Sequence, residues 1–378
     1  MNTMTAARQS IFYIDFLRFI AAIAVIMIHV LGPFRYLYGE IPGSDWLAAA
    51  GLNSLTRWAV PVFMMISGAL LLSSKTLSSK ALSPKPLSPQ KLPSKSLSQD
   101  ASSQESFKWG PYLIKRVSKV VVPFVGWTVI FALVSGYMVD GIFTGEWSSN
   151  IATETLGSSL TEPVWYHLWF FYDFIPLYFV IPFLLPLLKQ ASADHIKLAL
   201  SCWAILLFMH WLKIGDFLQQ NLVLYSGYLV LGWYLFNRDN RDHLKYWIAA
   251  GCLMLLLNFF GTWYVATEKQ AYSSLFMGYK TINTAIIGGM LFVLAQTYAH
   301  KIQGRLRALV TLISTYSLGI YLVHPLVLIP IRNLNNGVYQ VFQSNWIAIP
   351  MLTFLTLAAS LLLTMLLVKL PFIRRLVP

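Results

Sequence analysis

Residues 11–33 read IFYIDFLRFIAAIAVIMIHVLGP. The stretch is long enough to cross a bilayer as a helix, because about 20 apolar residues cover ~30 Å. Three ionisable residues interrupt it: Asp15, Arg18 and His29. A charge inside a spanning helix costs roughly 2.5–3.5 kcal/mol at its centre on insertion scales, so such residues are kept where function needs them. Arg18 and His29 are eleven residues apart. That is about three turns of helix, so the two share a face and lie ~16 Å apart along the axis. One face then carries a permanent cation at one depth and a titratable imidazole about half a membrane away. Taken singly, each has a plainer reading: Arg18 can snorkel to the near interface, and His29 can pack with a hydrogen bond near the far one. Taken together, with Asp15 one turn before Arg18, they point to function.

The rest of the chain agrees with a membrane reading. It has 378 residues, 57% hydrophobic and 11% charged, and a mean hydropathy of +0.60, far from a soluble domain. Ten spanning stretches are predicted, at about 11–33, 53–73, 117–139, 164–187, 196–213, 222–237, 245–265, 280–299, 309–331 and 346–369. The sixth is short, and the fourth is punctuated by Pro176, Pro182 and Pro186. The net charge of +13 would suggest nucleic acid in a soluble protein; here it reads as the excess of cytoplasmic Lys and Arg found in membrane proteins. Of the 28 Lys and Arg, 21 fall in inner segments, six (Arg35, Arg57, Lys213, Lys269, Lys280 and Arg332) in outer ones, and Arg18 in the span. Both termini are therefore expected in the cytoplasm. The expectation is an all-α integral membrane protein, one domain over 1–378, with no nucleic-acid partner. Cys202 and Cys252 offer neither a disulfide framework nor metal-ligand spacing.

Residues 74–106 are low in complexity, with Leu77, Leu82, Leu87, Leu92 and Leu97 recurring among Ser, Pro and Lys. Such composition cannot bury a core, so the segment reads as an inserted cytoplasmic spacer, or as a basic segment drawn to anionic lipid. The outer loop 140–163 has the opposite sign, with Asp140, Glu146, Glu154 and Glu162 and no cation.

Depth along each helix follows from the rise of ~1.5 Å per residue. It sorts the intramembrane polar residues into an inner cluster, Asp15, Arg18 and Ser67, and an outer one, His29, His167 and His324, with Asp173 near the middle. A cation at the inner mouth suits an anionic cytosolic cofactor, and a neutral imidazole at the outer mouth suits a general base. Other readings stand beside this. Three histidines can bind zinc, but no two here are at ligand spacing on one helix, so no metal is expected. His167 beside Trp165, Tyr166 and Trp169 can belong to an interfacial aromatic belt. His324 precedes Pro325, where a kink frees carbonyls that a His can satisfy. Lys115, Arg116 and Lys119, followed by Pro123, are either cytoplasmic anchors or a phosphate clamp.

These elements together resemble the bacterial membrane acyltransferase-3 family. Arg18 with His29 is similar to its first-helix signature. Phe63-Met64-Met65-Ile66-Ser67-Gly68 resembles its Phe-Phe-x-x-Ser-Gly element. Lys115-Arg116-x-x-Lys119 before Pro123 is similar to its basic entry to the third helix, with Lys where Arg is common. Trp165 to Trp169 and Ser317 to Pro325, ending in Tyr321-Leu322-Val323-His324-Pro325, match two later elements. The resemblance spans nearly the whole chain except 74–106. It implies transfer of an acyl group, usually acetyl, from cytosolic acyl-CoA to a hydroxyl of an extracytoplasmic glycan, either polysaccharide or lipid-linked. Arg18, Ser67, Arg116 and Lys119 would then face the donor, His29 would be the base, and Trp165, His167, Asp173 and His324 would lie on the acceptor side. Intramembrane charges and proline-broken helices also fit a glycan exporter or flippase, although no internal repeat links the two halves.

Overall fold

The computed structural model describes residues 12–73, 109–139, 142–215, 220–333, 339 and 341–377. The expected spacer, 74–106, lies outside the described residues. The chain runs as α1 (Phe12–Val30), α2 (Gly43–Thr56), α3 (Ala59–Leu71), α4 (Trp109–Arg116), a π-helical turn Val117–Val121, and α5 (Val122–Ser135). A two-residue hairpin of β1 (Met138–Val139) and β2 (Ile142–Phe143) and then α6 (Ser149–Ser158) follow on the outer side. The remainder is α7 (Trp169–Gln190), α8 (Ala193–Trp211), α9 (Asn221–Phe236), α10 (Leu244–Lys269), α11 (Ile282–Tyr298), α12 (Gly304–Thr315), α13 (Ser317–Asn333) and α14 (Asn345–Lys369).

Among the described residues, seven helical runs are long and apolar enough to cross a bilayer, and the α12–α13 pair makes an eighth if counted as one span. The two remaining expected spans are also helical. One is α8, which opens on Asp194, His195 and Lys197; the other is α9, apolar but only 16 residues long. The exposed faces confirm the solvent. Phe179 and Phe183 on α7, Leu253, Phe260 and Trp263 on α10, and Phe354, Leu355 and Leu362 on α14 are all exposed. Apolar area on that scale would be an association surface in water but is the normal surface in lipid. The buried stripe of α10 is small and polar instead: Gly251, Asn258, Thr262 and Ala266. Asn258 donates to Ser54 O, and Asn283 Nδ2 donates to Asn258 Oδ1 at 2.6 Å. Small residues and interhelical hydrogen bonds hold helices together where the hydrophobic effect cannot.

The first helix is central. It packs against α2, α3, α11, α12, α13 and α14, and ten of its 19 residues are buried. Its C-terminal carbonyls are taken by outside donors, Arg332 Nη2 to His29 O at 2.5 Å and Tyr339 Oη to Val30 O at 2.7 Å. A cation on the orphan carbonyls of a helix end is favourable twice, as a hydrogen bond and against the dipole. Beside α1, helices α3 and α9 meet backbone to backbone. A Cβ on Gly68 would lie 2.0 Å from Leu229 O, and one on Gly232 would lie 2.0 Å from Met65 O. Here Gly is required by close approach, which gives the glycine after Ser67 its reason.

Four differences from the sequence expectation have physical causes. The second span begins at Gly43 rather than 53, because Leu47-Ala48-Ala49-Ala50 extends it outward and packs on α10. The ninth span is broken: α12 and α13 meet at 75°. The junction Ser314-Thr315-Tyr316-Ser317 is rich in hydroxyls that compete for main-chain carbonyls; Ser317 Oγ donates to Ser314 O at 2.9 Å. The outer loop 140–163 contains a helix, α6, capped by Ser148 Oγ. Finally, α7 runs unbroken through its three prolines, starting at Trp169 rather than 164. Pro182 cannot donate to Tyr178 O, and Tyr112 Oη does so instead, at 3.0 Å.

Candidate active site

Two chambers lie along one face of α1. The inner one has a volume of about 260 Å³ and is lined by Arg18, Ser67, Arg116, Tyr178, Ser317 and Tyr321, with apolar walls from Val25, Ile66, Leu70, Phe170 and Phe174. Arg18 and Arg116 are the charged residues of that lining. Arg18 Nη1 donates to Asp15 Oδ1 at 3.3 Å, and Ser314 Oγ donates to the same oxygen at 2.8 Å. Asp15 thus bridges α1 to α12 while facing the cation. Arg116 sits between two aromatic faces, 5.6 Å from the ring of Tyr112 and 5.7 Å from that of Tyr178. Ser67 Oγ donates to Phe63 O at 3.0 Å, so its proton is already committed.

Lys119 does not join Arg116. It is exposed and absent from the chamber lining. The cause is the π turn Val117–Val121, which puts more residues in each turn and so rotates Lys119 off the face that carries Arg116. Pro123 follows, and its missing N–H and its ring disfavour a regular helical bond to the carbonyl four residues back.

The outer chamber has a volume of about 450 Å³ and is lined by Ile28, His29, Gly32, Pro33, Arg35, Arg57, Tyr166, Trp169, Tyr279 and Arg332. Among the described residues none lines both chambers, yet α1 contributes Val25 to one and Ile28 to the other. Three residues of helix separate them by only ~4.5 Å of rise. The partition is aromatic. Tyr321, on the inner side, lies 5.8 Å from the ring of His324, and His324 lies 5.0 Å from His29 on the outer side. Tyr166 closes on His29 at 4.9 Å, and His167 on His324 at 5.5 Å.

The three histidines, from three separate stretches of chain, therefore do converge, but their settings differ. His167 is fully buried in the turn before α7 and lies edge-on to Phe131 at 5.0 Å. His324 is also fully buried. Its Nδ1 lies 2.7 Å from Tyr321 O, the carbonyl that Pro325 leaves unbonded. A carbonyl only accepts, so in the neutral ring Nδ1 carries the proton and Nε2 presents a lone pair. His29 alone of the three lines an open chamber, half-buried.

Asp173 is not in either chamber. Because α7 starts at Trp169, Asp173 lies ~6 Å from its outer end rather than mid-membrane. It accepts from Asn221 Nδ2 at 2.7 Å, and Asn221 Oδ1 accepts from Lys280 at 2.6 Å. Trp165 lines a side cavity of about 310 Å³ with Met138, Pro163 and Arg332, stacked on Phe131 at 5.0 Å. No group of three His, Cys, Asp or Glu is set to hold a metal ion among the described residues.

Three residues of the outer chamber were not singled out from the sequence: Arg35, Arg57 and Arg332. A signal was available. They are half of the six Lys and Arg on the outer side, where the charge bias of membrane proteins disfavours them.

No curated protein and no solved structure matches the chain. A family model described as an acyltransferase domain matches residues 11–365, which takes in α1, both chambers and all three histidines. The chain belongs to the acyltransferase-3 family and is a multi-pass membrane acyltransferase.

Proposed function

We propose that this protein moves an acyl group, acetyl in the first instance, from cytosolic acyl-CoA to a hydroxyl of an extracytoplasmic glycan across a bacterial inner membrane. The observation that supports it best is the pair of chambers meeting on one helix, cationic and apolar on the inner side and imidazole-bearing on the outer. Two guanidiniums at the inner mouth suit the phosphates of CoA, which Arg binds through paired N–H donors. The apolar walls suit the pantetheine arm. The ~16 Å from Arg18 to His29 is about the reach of that arm when extended.

The chemistry balances with one base. His29 takes the proton of the acceptor hydroxyl as its oxygen attacks the thioester carbonyl. The tetrahedral intermediate expels the CoA sulfur as a thiolate, and the proton on His29 returns to it. The products are an ester and free CoA thiol. The lone pair on His324 Nε2, beside His29, would steady the imidazolium that forms in between.

The test is direct. Purified protein with labelled acetyl-CoA and surface oligosaccharide should release CoA thiol in step with ester on the sugar. A protein that binds CoA yet never esterifies any glycan would overturn the proposal.

A further inference from the structure

From the outer chamber we infer that the acceptor is anionic: a carboxylate or phosphate on the glycan is held by Arg35, Arg57 and Arg332 while a hydroxyl faces His29. The word acceptor rests on the acyl-transfer reading; the anion site does not.

The argument begins with charge balance. All three guanidiniums line the same chamber as His29. The lining contains no carboxylate, and among the described residues none of the three forms an ion pair. The acidic groups nearby are engaged or distant: Asp45 accepts from the backbone N–H of Asn345 at 2.8 Å, Glu40 is exposed, and Asp173 is matched to Lys280 through Asn221. Three like charges gathered in a semi-enclosed space repel one another and are poorly solvated. A protein keeps such a set where a counter-charge arrives from outside.

Each guanidinium is held by a tyrosine. Arg57 Nη1 donates to Tyr279 Oη at 2.6 Å and lies 4.9 Å from the ring centre. Arg35 Nη2 donates to Tyr36 Oη at 2.8 Å and lies 4.6 Å from that ring. Arg332 lies 5.1 Å from the ring of Tyr166 while its Nη2 holds His29 O. A phenol and a π face fix a guanidinium's plane without cancelling its charge. The Nε of each of the three is buried with no partner. The charge of each guanidinium is thus unmatched within the protein, and a fixed, uncancelled cation is what recognition of an oxyanion requires.

Arg332 adds a coupling. It touches both the chamber and the carbonyl of His29, so an anion bound there sits one residue's width from the base. Seating the charged group would set the register of the sugar and decide which hydroxyl meets the imidazole.

Two experiments test this on the full-length protein in detergent. The first is binding, with glucuronate and inorganic pyrophosphate as probes and CoA present in saturating amount to occupy the inner chamber. Binding should weaken about tenfold or more in Arg57→Gln and in Arg35→Gln, and largely return in Arg57→Lys. Absence of binding, or binding indifferent to these variants, would overturn the inference. The second is kinetic and uses three acceptors: a uronate-bearing oligosaccharide, the same one with its carboxyl reduced to an alcohol, and a polyprenyl-phosphate-linked sugar. One anionic acceptor should show a KM at least about tenfold below the neutral one, and the ratio should fall towards one in Arg57→Gln. Which anionic acceptor gains identifies carboxylate or phosphate. Equal KM for all three would overturn the inference. Should no acceptor be esterified at all, the acyl-transfer reading fails, while the binding measurement still decides the anion site.

Discussion

The inner and outer chambers both carry arginine, in opposite electrostatic states. Arg18 faces a resident carboxylate, Asp15, itself tied down by Ser314. Arg35, Arg57 and Arg332 face tyrosines. A carboxylate partner neutralises a cation and competes with any anionic ligand; a tyrosine steadies a guanidinium and leaves its charge in place. Arg18 is therefore charge-matched within the protein, whereas the three outer guanidiniums, like Arg116 between Tyr112 and Tyr178, are not.

The comparison breaks most visibly at His29. If the outer chamber carries the base and the inner one only the donor, His29→Gln should lower acyl transfer by at least about a hundredfold while acyl-CoA binding stays near normal. Transfer assays on purified protein at matched amounts, with donor binding alongside, decide it. Near-normal turnover would strip the outer chamber of its chemistry.

Next in size is the inner cation. Arg18→Ala should weaken acyl-CoA binding by about ten- to a hundredfold, and Arg18→Lys by less, because Lys keeps charge but loses the planar fork. Titration with a non-hydrolysable CoA thioether reads this. Asp15→Asn should act the other way, tightening the donor severalfold by removing its competitor. A loss of affinity there would mean that Asp15 orients Arg18 rather than competing for it.

A smaller effect is expected at His324. His324→Asn can still satisfy Tyr321 O, so the fold should hold, and kcat should fall about tenfold without change in acceptor KM. The smallest separates neighbours. Lys119→Ala should alter donor KM by less than about twofold, since the residue is exposed, whereas Arg116→Gln should raise it about tenfold. Equal effects would place both residues on the donor.

How much of this was legible in advance follows from what spacing can encode. Residues on one helix report their shared face directly, so Arg18 and His29 could be read as partners from eleven residues of sequence. Depth put His29 and His167 at nearly one level with His324 slightly deeper, and the structure brings the three rings together. Spacing fails where the helix is not regular. The π turn took Lys119 away from Arg116, and a helix start shifted by five residues moved Asp173 from mid-membrane to the outer end. It also fails across the bundle: Arg35, Arg57 and Arg332 stand out as cations on the outer side, but their spacing does not say that three distant loops and helix ends share a chamber.

The Gly68–Gly232 crossing has a mechanical consequence. With main chain against main chain there is no side-chain layer to slide or compress, so α3 and α9 form a fulcrum rather than a gate. The aromatic partition itself is built from other parts, Tyr166 just before α7 and Tyr321 and His324 on α13. In α7 and α13 the backbone hydrogen-bond ladder lacks a donor at Pro182 and Pro325, and the carbonyls they leave are latched by side chains, Tyr112 and His324. Side-chain latches can be released and remade without unwinding a helix, and one of the two belongs to the histidine beside the base.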